Sequence, residues 1–127
     1  MSQSNATKIL VIDDEPLILK IIKKFVHKMF GEDQSIEAKT GVEGIKIFSE
    51  NPERFRVCII DYHLPDIQCK ELIQKIKELN PKVKIILSTG SMAKDLGDVP
   101  EVGSFLQKPF TFKEFKKKLS ELEIIKV

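Results

Sequence analysis

Asp13, Asp14 and Glu15 stand together at the end of an apolar run, and an apolar helical pattern begins directly after them. Three adjacent acids repel one another and are costly to desolvate, so their place at the mouth of a buried strand calls for a reason. Asp61 ends a second apolar run, Ser88 and Thr89 a third, and Lys108-Pro109 a shorter one. Each has an ordinary explanation when taken alone. Asp14 or Glu15 before Pro16 suits a helix cap, and a single Asp, Thr or Lys often closes a strand. Together they amount to three carboxylates, a hydroxyl and an ammonium that would meet at one rim if their strands are neighbours.

The elements that must position them alternate regularly. Ile9–Ile12, Val57–Ile60 and Val83–Leu87 read as strands covered on both faces, with weaker strands at Ser35–Lys39 and Ser104–Gln107. After the first strand, Leu17, Ile18, Ile21, Ile22, Phe25, Val26 and Met29 form one helical stripe. Lys20, Lys23, Lys24, His27 and Lys28 lie opposite that stripe, and Gly31 stops the helix. Thr40 and Glu43 read as a capping box opening a helix through Phe48. Cys69, Leu72, Ile73, Ile76 and Leu79 make the next stripe, closed by Asn80-Pro81. Between Thr89 and Lys108, Gly97 and Pro100 leave room for one or two helical turns only. Thr111 and Glu114 form a second capping box, with Phe112, Phe115, Leu119 and Leu122 inward and a solvated face of Lys113, Lys116, Lys117 and Lys118. Strands alternating with helices predict an α/β fold with a parallel sheet, whose site lies beyond the carboxyl ends of the strands where the winding reverses.

The bounds agree with a single soluble unit. A chain of 127 residues is one domain by length, and a net charge of +2 argues for neither nucleic acid nor membrane as a partner. No run approaches the ~18 apolar residues of a spanning helix. MSQSNATK lacks a signal-peptide core, so a cytoplasmic location is expected. Cys58 and Cys69 match no zinc or redox spacing and read as reduced structural residues.

At Asp13-Asp14, DYHLP around Asp61, STG around Thr89 and FLQKPF around Lys108, the sequence resembles the receiver domain of two-component response regulators. The single-domain, chemotaxis-regulator-like members are the nearest in kind. The resemblance implies a flavodoxin-like, doubly wound sheet of order 2-1-3-4-5 over residues 8–124, between short tails at 1–7 and 125–127. It implies that Asp61 accepts a phosphoryl group from a sensor histidine kinase or a histidine phosphotransfer protein. Mg2+ (or Mn2+) would be held by Asp14, Asp61 and the backbone carbonyl of His63, with Asp13 acting through water. Lys108 would neutralise phosphate charge and Thr89 would hydrogen-bond a phosphate oxygen. Thr89 and Phe105 would form the conformational switch, and the Lys108-Pro109 bond would be cis. Such a domain catalyses only its own phosphorylation and dephosphorylation, and the family leaves room for a phosphorylation-dependent dimer.

The chain departs from the family pattern in three places. Cys69 stands where Gly is usual, His63 and Ser91 fill two variable positions, and the stretch from Thr89 to Lys108 is short, which erodes the fourth helix. Two rival readings are a degenerate receiver that binds partners without phosphate and a metal-dependent phosphohydrolase. The second expects two Asp spaced by one residue after the first strand, a spacing that DDEP lacks.

Overall fold

The computed structural model describes residues 8–31, 34–90, 99, 102–122 and 124. The tails, Ser91 and the expected short fourth helix lie outside the described residues. The described chain alternates as β1 (Lys8–Ile12), α1 (Pro16–Phe30), β2 (Ser35–Ala38), α2 (Gly41–Glu50), β3 (Phe55–Asp61), α3 (Cys69–Leu79), β4 (Lys84–Thr89), β5 (Ser104–Gln107) and α4 (Phe112–Glu121), with one 3-10 turn at Pro52–Arg54. All strand pairs are parallel and the sheet order is β2-β1-β3-β4-β5. The flavodoxin-like order expected from the sequence is therefore present.

Successive strand residues face opposite sides, and both sides are covered. Leu10, Ile12, Cys58, Ile60, Ile85 and Leu87 pack with Phe48 of α2 and Leu72, Ile73 and Ile76 of α3. Ile9, Val11, Val57, Ile59, Ile86 and Leu106 pack with Leu19, Ile22 and Val26 of α1 and Phe115 and Leu119 of α4. This double burial explains why the central strands read as unbroken apolar runs rather than alternating ones. On the second side Phe25 of α1 meets Phe112 and Phe115 of α4 at 5.3 and 5.5 Å between ring centroids, which fixes the two helices beside one another.

Several element ends differ from the sequence reading. β3 starts two residues early at Phe55 and runs through Asp61, and β4 is Lys84–Thr89 rather than Val83–Leu87. Asp61 still pairs with Ser88, and Thr89 with Gln107, so the polar residues are the last rungs of the ladder. Ladder hydrogen bonds belong to the backbone and continue whatever the side chain is. β2 ends at Ala38, because the Lys39 N–H donates to Glu43 Oε1 at 2.7 Å. The Thr40 capping box is accordingly half formed: its hydroxyl accepts the Glu43 N–H at 3.0 Å, but the return bond falls on Lys39. At Thr111 the box is complete, with bonds of 2.8 and 3.1 Å. Glu15 occupies the N-cap of α1 without a side-chain capping bond, so it is not the cap that its position before Pro16 suggests. Gly31 ends α1 in the left-handed region at φ 75°, its N–H donating to the His27 carbonyl at 2.7 Å.

α2 lies close enough to β1 that a Cβ at Gly44 would collide with the side chain of Ile12, the residue preceding Asp13. Gly44→Val should therefore overpack the core beneath the site and lower stability by about 2 kcal/mol. The change would be read as a fall in the denaturation midpoint with an unchanged slope. A variant as stable as the parent would show that Ile12 can move aside freely.

Candidate functional site

The strand registers bring the chemistry-bearing residues together. Ile12 pairs with Ile60, so the next residues, Asp13 and Asp61, emerge side by side at the point where the winding reverses. Asp61 in turn pairs with Ser88, and Thr89 with Gln107, which puts Lys108 at the same edge. The Lys108 N–H donates to the Thr89 carbonyl at 2.7 Å, tying the two strand ends together. The Lys108-Pro109 peptide is cis.

Asp13, Asp61 and Thr89 are buried, whereas Asp14 and Glu15 are exposed. One carboxylate oxygen from each of Asp13, Asp14, Glu15 and Asp61 can be chosen so that all lie within 4.8 Å of one another. The Lys108 ammonium reaches into this group, 2.7 Å from Glu15 Oε2, 3.1 Å from Asp13 Oδ2 and 3.6 Å from Asp61 Oδ1. Asp13 Oδ1 accepts the Glu15 N–H at 2.9 Å, and Asp61 Oδ1 accepts the His63 N–H at 3.2 Å. Each buried acid thus also holds the turn that follows it.

Burial, followed by neighbouring charges and hydrogen bonds, shifts two groups of the site. Burial raises the Asp13 carboxyl above its ordinary value, and the nearby Asp61 charge adds to the rise, against the lowering effects of the Glu15 N–H and Lys108. Burial pushes the Lys108 ammonium down, but its bonds to Glu15 and Asp13 outweigh that and hold it above the ordinary lysine value. An oxygen-only cluster in which a buried carboxylate is pushed toward its neutral form suits a hard divalent cation, which takes oxygen ligands and relieves the repulsion.

Thr89 and Phe105 lie on one face of the sheet as diagonal neighbours, since Phe105 pairs with Leu87 two residues before Thr89. Phe105 is half-buried and packs on the α2–α3 side of the core. His63 is exposed, its ring 4.8 Å from that of Tyr62 in an edge-on contact. Cys69 is buried at the first turn of α3, where burial and the Asp61 charge push its thiol up to about 11. It stays a protonated, unreactive thiol at neutral pH. Cys58 is wholly buried, and its thiol is likewise pushed up.

Two residues given no part in the site by the sequence reading belong to this region. Glu15, read as a cap, makes the shortest contact of Lys108. Asp66 reaches from the loop after β3 to the start of α2, accepting the Gly41 N–H at 3.0 Å and the Val42 N–H at 2.9 Å. The partners of Asp66 are 25 and 24 residues away, a distance over which no local spacing rule operates.

Comparison with known proteins agrees with this architecture. Residues 9–120 match the family model described as the response regulator receiver domain. The chain is 29% identical over 120 residues to a chemotaxis protein CheY homolog of Campylobacter jejuni, with 91% of each chain covered. A response regulator receiver domain protein from Clostridium thermocellum superposes with a TM-score of 0.81 at 29% identity, covering 91% of this chain and 93% of that one. The response regulator protein TrrA from Thermotoga maritima, solved in complex with Mg2+-BeF, gives 0.78 at 29% identity, with 91% and 98% covered. Carboxylates and a lysine gathered at the switch point of a 2-1-3-4-5 sheet, over a match spanning nearly all of the described residues, place the chain in the response regulator receiver domain family.

Proposed function

We propose that this domain takes a phosphoryl group onto Asp61 from a phosphohistidine, in a reaction that needs Mg2+, and changes conformation as a result. The observation that carries this reading is the Asp13–Asp61–Lys108 arrangement at the sheet edge. The donor would be a sensor histidine kinase or a phosphotransfer protein. An Asp61 oxygen attacks phosphorus, the bond from phosphorus to the histidine nitrogen breaks, and that nitrogen keeps the electron pair. Lys108 lies 3.6 Å from Asp61 Oδ1, where its positive charge offsets the negative charge gathering on the phosphoryl oxygens. Asp14, Asp61 and the His63 carbonyl would hold the cation, with Asp13 acting through water. When bound, Mg2+ supplies charge neutralisation and a fixed orientation for the phosphoryl oxygens.

The domain would act on no other molecule and would do no more than gain and lose its own phosphoryl group. The Thr89 hydroxyl would then turn toward the new phosphate oxygens and give Phe105 room to rotate inward on the face they share. A receiver without phosphate chemistry is the poorer reading, because Asp13, Asp14, Asp61, Thr89 and Lys108 are all present.

Incubation with acetyl phosphate and Mg2+ should add one phosphoryl mass to the intact protein, and Asp61→Asn should abolish the addition. Labelling that survives in Asp61→Asn would move the nucleophile to another residue.

Mg2+ should raise the melting temperature, by the equivalent of about 1.4 kcal/mol at ten times its dissociation constant. Asp13→Asn should instead stabilise the metal-free protein. Because burial raises the Asp13 carboxyl, its charge opposes folding at neutral pH. That opposition is absent below the unfolded value of about 3.9 and sets in as pH rises through the folded one. The melting temperature of metal-free Asp13→Asn should therefore exceed that of the parent at pH 7, with the gap closing in acid, and its gain from Mg2+ should be smaller. A metal-free variant less stable than the parent at pH 7 would mean that the Lys108 ion pair outweighs the burial cost.

A further inference from the structure

We infer that Asp66 is a positioning residue for the metal site, acting as a strut that fixes the loop carrying His63 against the N-terminus of α2. The inference rests on the Mg2+-dependent phosphoacceptor reading given above. The loop leaves β3 at Asp61 and enters α3 at Cys69. Its first residues are held at the sheet, since the Tyr62 N–H donates to the Ser88 carbonyl at 2.9 Å and the His63 N–H to Asp61 Oδ1 at 3.2 Å. Beyond them, the two Asp66 carboxylate oxygens accept separately from the Gly41 and Val42 N–H groups at 3.0 and 2.9 Å.

These are charge-assisted bonds to the first orphan donors of a helix, where the helix dipole also favours a negative group. They outweigh burial and hold the Asp66 carboxyl below its ordinary value. A second observation shows that the contact is built into α2 as well. A Cβ at Gly41 would collide with the side chain of Ile67, so only glycine lets the loop lie this close. Ile67 then packs against the α2–α3 core.

The His63 carbonyl therefore belongs to a short segment pinned at both ends, at Asp61 and at Asp66, with Pro65 restricting the path between them. Without the strut, this part of the loop would be held only by the packing of Leu64 and Ile67 on the core, and it would have more conformations in which the carbonyl is misplaced for a cation. Supporting contacts of this kind typically tune metal affinity by about 10–100-fold. An exposed strut should sit at the low end of that range.

The test is a Mg2+ titration of the full chain. Tyr62 adjoins Asp61 and is the sole tyrosine of a sequence without tryptophan, so its emission reports on the site. Asp66→Ala should weaken Mg2+ about tenfold. Asp66→Asn, which keeps one acceptor oxygen for one of the two N–H groups, should fall in between and carries the test if Asp66→Ala does not fold. Gly41→Ala, which displaces Ile67 and leaves every carboxylate in place, should weaken binding in the same direction. Thr40→Ala removes the helix's own cap but not the strut, and should lower thermal stability while leaving Mg2+ affinity unchanged. Equal affinity in Asp66→Ala and the parent would overturn the inference. So would an equal loss in Thr40→Ala, which would reduce the effect to helix stability. A parent chain that binds no Mg2+ would overturn the reading of the site itself, and this inference with it.

Discussion

Asp13 and Asp61 are two carboxylates taken out of water side by side, and much of the described structure bears on keeping them there. Burial strengthens their repulsion and removes the hydration that each would have in solvent. The Lys108 ammonium, 3.1 Å from one and 3.6 Å from the other, offsets part of that cost. It cannot offset all of it, since Asp14 and Glu15 gather at the same place and Glu15 makes the shortest contact with that ammonium. A carboxylate cluster of this kind is a local electrostatic cost carried by a well-packed sheet. Under the proposed function, this excess negative charge would favour a divalent cation, whose arrival would in turn free Lys108 to meet other anions.

The sheet can carry this strain because it is apolar on both sides. Ile12 and Ile60, the residues immediately before the two buried acids, are fully buried, as are Val11 and Ile59 before them. Apolar burial along these strands, worth roughly 25 cal/mol per Å2, works against the cost of the desolvated charges at their ends. The opposing demands are separated by one residue along the chain. The side chains of Ile12 and Ile60 serve packing, and those of Asp13 and Asp61, the next residues, serve the site.

That division is also why most of the fold and site could be read in the sequence. A doubly covered strand is a run of β-branched and Leu residues, and a polar residue that ends the run announces itself, as Asp13, Asp61, Thr89 and Lys108 all do. The strand ends were misplaced for the same reason: polarity marked where packing ends, whereas the backbone ladder continued through Asp61 and Thr89. Roles that depend on distant partners were not legible. Glu15 looks like a cap because it precedes Pro16, yet its carboxylate is drawn to a lysine 93 residues away. Asp66 looks like an ordinary loop acid after Pro65, and nothing local points to Gly41. The half-formed box at Thr40 shows a further limit. Glu43 has the right spacing, but the extended backbone at Lys39 offers a competing N–H, and geometry rather than residue type decides between them.

The site is attached to the rest of the molecule through three connections of different kinds. Glu15 joins it to the start of α1, through the Lys108 ammonium and through the turn closed on Asp13 Oδ1. Lys108 joins it to α4, which is capped by Thr111 three residues later; Phe112 and Phe115 of α4, and Phe110 just before it, meet Phe25 of α1. Asp66 joins the loop after β3 to α2 by hydrogen bonds to its first two N–H groups. The first two connections share Lys108 and so compete for one positive charge, whereas the third involves no cation. A new anion at Asp61 would act on them unequally, drawing Lys108 away from Glu15 while leaving the Asp66 strut intact. Under the proposed phosphoacceptor role, such an anion would loosen the tie of the site to α1 through Glu15, whereas the tie of the loop to α2 through Asp66 does not depend on Lys108.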